Sequence, residues 1–202
     1  MLFRSEHAAG VWSEIQRAAE EAYDRSPACE FTSFVGYEWT ASLDEGKNLH
    51  RNVIFRNEHV PRLPTSWIDT PSAHALWDHL ERDCLEAGNG CDVLTIPHNS
   101  NISGGLMFQS AKLETSKPEE IPAVDATEAR RRQRFEPLVE IMQHKGSSEC
   151  DVVAGWSNDE TCGFETLAYD SFGGGGRIIS TGLAKLPDAN NFVRWALKEG
   201  LR

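Results

Sequence analysis

A chain of 202 residues, 40% hydrophobic and 25% charged, can bury a core of its own and suits a single domain over 1–202. Its formal charge of −11 and pI near 5.1 argue against nucleic acid or an anionic membrane as partner, since both need a basic face. No run approaches the ~20 apolar residues of a membrane span and the N-terminus lacks an apolar signal core, so the chain reads as soluble, the cytoplasm slightly favoured.

Taken in order, residues 5–24 read as a helix, with Val11 or Trp12, Ile15, Ala18 or Ala19, and Ala22 at helical spacing. Phe31–Trp39 is dense in aromatic and β-branched residues, reads as a strand interrupted at Gly36, and delivers Glu38 near its end. A carboxylate inside such a strand is costly to bury unless it is paired, hydrogen-bonded or on a metal. After a polar turn at 42–47, Leu49–Arg56 reads as a returning strand, from which His50 could reach toward Glu38 across a hairpin. A helix follows over Ser72–Ala87, burying Ala73, Leu76, Trp77, Leu80 and Cys84, with Ser72 as N-cap and Gly88 as stop.

The apolar run Val93–Ile96 is a short buried strand that breaks at Pro97, offers His98, and spills into a polar loop, Asn99 to Gly105. Residues 106–125 lack regular pattern, with Lys117-Pro118 and Ile121-Pro122 as breakers. A helix at about 126–134 carries the basic run 129–134, read as a solvated face, and precedes a strand at Leu138–Met142 whose end leads to His144, Lys145 and Gly146. The glycines at 173–176 lack the signature of a phosphate-binding loop and read as surface loop, and a last helix spans Asp188–Glu199. The five cysteines (29, 84, 91, 150 and 162) form an odd set without CxxC spacing. Neither a zinc ribbon nor a disulfide framework is indicated; a Cys150–Cys162 bridge stays open, and reduced thiols are the plainer expectation.

Three strands separated by helices predict an α/β fold. If they are parallel neighbours, Glu38, His98 and His144 converge on one rim, a ligand set suited to Zn²⁺, Mn²⁺ or Fe²⁺. Such an ion can activate a water and polarise a phosphoryl oxygen.

Four segments in order, GYEWT at 36–40, NLHRNVIFR at 48–56, DVLTIPHNSN at 92–101 and PLVEIMQHKGSSEC at 137–150, resemble the DUF3604 family of the PHP-like (polymerase and histidinol phosphatase) metal-dependent hydrolases. The resemblance implies a distorted (β/α)7 barrel of mostly parallel strands with flanking helices and up to three metals at the strand ends. By motif position, Glu38 is similar to the bridging carboxylate, His98 and His144 to metal ligands, and His50, Asn99 and Glu149 to rim residues near substrate. The activity it implies is phosphoesterase, a metal-activated water attacking a small-molecule phosphate ester. The chain contains neither the HxH nor the DxH pattern of that group. It therefore looks like the middle of such a domain, a partial barrel, and the competing expectation is a non-catalytic remnant holding at most one metal. An acidic interaction module without metal ranks last. Open sheet edges in a partial barrel would favour a homo-oligomer.

Overall fold

Three short strands carry the candidate site, and they lie side by side in the order in which they occur in the chain. In the computed structural model, which describes residues 2–43, 46–112, 122–152, 157–167 and 187–200 (side chains from His7), β1 (Gly36–Trp39), β4 (Arg51–Phe55) and β5 (Val93–Pro97) form one sheet in the order β1-β4-β5. The 173–176 glycines and the Lys117-Pro118 pair lie outside the described residues. Backbone bonds join His98 to His50 and Arg56 to Asp92. Rising numbers on β4 thus meet falling numbers on β5, the signature of antiparallel pairing.

This overturns the partial (β/α)7 barrel of mostly parallel strands. Parallel neighbours need a crossover of about a dozen residues or more, usually a helix. Between β1 and β4 lies instead a two-stranded antiparallel ribbon, β2 (Ser42–Leu43) with β3 (Lys47–Asn48), which returns the chain at once. The expected strand at 138–142 is also largely absent. Only Met142–Gln143 is extended, as β6, and it pairs antiparallel with β7 (Gly146–Ser147) in a tight hairpin. Leu138, Ile141 and Met142 are exposed, so their apolar run marks no buried strand. The architecture is mixed α/β with small, unclosed antiparallel sheets.

Two compact units divide the chain, Met1–Trp39 with Asn52–Thr95 and Thr40–Arg51 with Ile96–Arg202. In the first, α1 (Leu2–Ala22) docks through Trp12, whose indole donates to the Pro61 carbonyl at 2.9 Å and meets the Tyr37 and Phe55 rings edge-on. Val11 and Ile15 stay exposed, so α1 offers one bulky anchor rather than a broad apolar stripe. Burial pushes the Tyr37 phenol up to about 12. Gly36 is needed where β1 crosses β4, since a Cβ there would sit 2.9 Å from the Val53 carbonyl oxygen. The helix expected over 72–87 appears as α2 (Ala73–Leu80), capped by the Ser72 hydroxyl and continued by a π-helical turn, Glu81–Leu85. Every residue predicted for its inner face is buried.

In the second unit, α3 (Ala126–Phe135) is capped by the Asp125 carboxylate. Its basic run is not wholly solvated: Arg132 donates to the Gln109 and Ala111 carbonyls and pairs with Glu128. Asn191, fully buried, accepts from Ser103 and Gly105 and so ties down the loop after β5. The C-terminal helix is shorter than expected: a 3₁₀ turn at Ala189–Asn191 precedes α4 (Val193–Gly200). Arg51 is 1% exposed and gives Nε to Glu136 at 2.8 Å and Nη1 to the Leu49 carbonyl. Removing one member of a buried ion pair costs about 3–5 kcal/mol.

The cysteines correct the expectation of reduced thiols. Cys84 pairs with Cys91 and Cys150 with Cys162, all four buried, while Cys29 is free and exposed. Denatured protein kept from reductant should therefore show one titratable thiol per chain, and five after reduction. Five thiols without reductant would contradict both bridges.

Candidate metal centre

Antiparallel pairing puts the start of the central strand at the same sheet edge as the ends of its two neighbours. Glu38 stands one residue before the end of β1, His50 directly before β4, and His98 directly after β5. Each offers one ligand atom, and the three atoms lie within 4.8 Å of one another. Glu38 is exposed, His50 half-buried and His98 5% exposed.

The histidines are held by backbone as well as by packing. The His98 amide donates to the His50 carbonyl at 3.3 Å, and the two rings meet edge-on with centroids 5.8 Å apart. The His50 amide donates to Asn48 Oδ1 at 2.8 Å, and its Nε2 lies 3.2 Å from the Ser42 hydroxyl at the start of β2. The ribbon thus serves as a local clamp on His50, and the buried Arg51–Glu136 pair fixes the residue that follows.

One carboxylate and two imidazoles are a fitting donor set for Zn²⁺, Mn²⁺ or Fe²⁺. Tetrahedral zinc with bonds of about 2.0–2.1 Å needs neighbouring ligand atoms roughly 3.3 Å apart. The observed spread is therefore within reach of small side-chain rotations, and the residues fit the group. Three protein ligands also leave a coordination position open, the arrangement of reactive rather than structural zinc sites.

The other residues expected at the site do not belong to the ligand group found among the described residues. His144 is exposed in the turn between β6 and β7 and outside the ligand group found among the described residues. Asn99 is buried in left-handed backbone, φ 52°, and its Oδ1 accepts from Lys145 Nζ at 3.2 Å. Glu149 is committed to an ion pair with Arg194 at 2.6 Å, and Arg194 also holds Asp159 at 2.7 Å. The Thr161 hydroxyl first, and then Arg194, hold the Asp159 carboxyl down to about 2. Ser42 escaped sequence reasoning because nothing local marks a serine as a histidine's partner; the polar turn before His50 was its only signal.

Residues 2–202 match the family model described as "Protein of unknown function (DUF3604)". The chain belongs to the DUF3604 family. No curated protein and no solved structure matches it. Among the described residues of this DUF3604 chain, no helix is long and apolar enough to cross a membrane.

A ligand's hydrogen-bonded partner is worth roughly 10–100-fold in metal affinity. Ser42→Ala should therefore weaken Zn²⁺ binding by about tenfold or more, measured by competition with a chromogenic chelator, and leave the urea midpoint unchanged. Unaltered affinity would mean that the Ser42 hydroxyl does not orient His50.

Proposed function

We propose that this chain supplies a single divalent-metal site, held by Glu38, His50 and His98, to a metal-dependent hydrolase of the PHP-like group acting on a small phosphate ester. One observation carries the reading: three side chains of the right chemistry offer ligand atoms within 4.8 Å of one another. A divalent ion held there would lower the pKa of a bound water and polarise a phosphoryl oxygen.

The protein's own contribution is position. Glu38 brings negative charge that balances part of the ion's. The backbone bond between His98 and His50 keeps the two imidazoles in one spatial relation, and Ser42 holds the His50 ring. Burial of His98 excludes water from one side of the site and strengthens electrostatic contacts there.

A second reading, a metal-holding chain without catalysis, is favoured by the absence of HxH and DxH patterns. Either reading sits better in an oxidising compartment than in the cytoplasm, because two buried disulfides are unusual in reducing surroundings.

Elemental analysis of protein purified without chelator, beside His98→Ala, tests the reading, followed by turnover of p-nitrophenyl phosphate. About one metal per chain, lost in His98→Ala, with metal-dependent hydrolysis by the wild type, is the expected result. Metal without turnover selects the second reading. Absence of metal from the wild type overturns both.

A further inference from the structure

A cation and an amide next to His98 have no role in holding a metal. Asn99 follows His98 directly, is 1% exposed, and adopts left-handed backbone at φ 52°, a conformation that asparagine enters more readily than most side chains. Its Oδ1 is identified by the Lys145 ammonium donating to it at 3.2 Å, which leaves Nδ2 as the other arm of the carboxamide. Among the described residues, that Nδ2 is buried without a hydrogen-bond partner. Most buried amide donors are satisfied, so this one has a hydrogen bond still to give beside a lysine.

Lys145 is half-buried, and among the described residues no carboxylate lies within ion-pair distance of it. In a chain of net charge −11 an uncompensated, partly buried ammonium is unusual. Its backbone is fixed: Asn101 Nδ2 donates to the Lys145 carbonyl at 2.9 Å, and Gly146, at φ +95°, makes a turn where a Cβ would meet Leu167 at 2.8 Å. The ammonium and the orphan amide are thus two donors, one of them charged, on rigid supports.

We propose that Lys145 and Asn99 form a binding element for a tetrahedral oxyanion, the phosphoryl group of a phosphate monoester. For the substrate's identity this rests on the reading above, since phosphoryl chemistry at His98 is what would require it. The anion contact itself stands on Lys145 and Asn99 alone. Lysine provides the point charge and the carboxamide a directed N–H, a pairing suited to the spread-out charge of phosphate oxygens.

The test is calorimetric titration of inorganic phosphate into wild type, Lys145→Met, Lys145→Arg and Asn99→Gly, each zinc-loaded and chelator-treated, with zinc content measured in parallel. Asn99→Gly removes the amide while keeping a residue that tolerates the left-handed backbone, so it remains informative if Lys145→Met does not fold. The wild type should bind phosphate in both states. Lys145→Met should weaken binding roughly tenfold or more, Asn99→Gly should weaken it as well, Lys145→Arg should restore most of it, and none should lose zinc. Unchanged phosphate affinity in Lys145→Met and Asn99→Gly, or no phosphate binding by the wild type, overturns the proposal, as does binding that needs zinc and ignores Lys145. Lys145-dependent phosphate binding in a protein that takes up no zinc would instead leave this element standing and remove the metal reading.

Discussion

The antiparallel register of β4 is the constraint on which the site depends. Because β4 runs against both neighbours, the residue that opens it, His50, stands at the edge where β1 and β5 close with Glu38 and His98. Side chains alternate along a strand, so a slip of one residue would carry the neighbouring strand's whole set to the opposite face. Register here sets chemistry as well as packing. Gly36 permits the close crossing of β1 over β4, and Arg51, buried with Glu136, anchors the first residue of the central strand.

Around that register the chain invests in polar fixation more than in apolar mass. Loop backbone after β5 is held by the side chains of Asn191, Ser103, Asn101 and Ser148, all buried. Satisfied networks of this type rigidify a loop and resist alternative arrangements. A loop so held can keep Asn99 in its left-handed conformation beside His98. Apolar burial supports the sheet through Trp12, Trp39 and Trp77, whose indoles find acceptors at Pro61, Thr70 and Thr95.

Local pattern was legible and long-range pairing was not. The inner face of α2 could be read residue by residue, because helical spacing and the Ser72 cap are written within one segment. The strand read at 93–96 was legible for the same reason, and runs one residue further, through Pro97. The return of β4 beside β1 was legible as well, since the polar turn at 42–47 set His50 toward Glu38 across a hairpin; the direction of β5 was not, because hydrophobic alternation is the same whichever way a neighbour runs. That one omission carried the site with it: with parallel strands His144 belongs beside His98, and with antiparallel strands His50 does. Of the disulfides, Cys150–Cys162 was open to the sequence as one pairing, whereas Cys84–Cys91 was not foreseen. Separations of 7 and 12 residues match no redox or zinc motif, and only tertiary structure brings each pair of Cα atoms to about 5 Å.

The most direct measurement is the side-chain NMR spectrum of the histidines during titration with Zn²⁺. The antiparallel geometry predicts that the His50 and His98 ring signals shift together and saturate at one equivalent, while His144 stays in place. Coupled shifts of His98 and His144 with His50 unmoved would contradict it, and would return the site to the arrangement that parallel strands require.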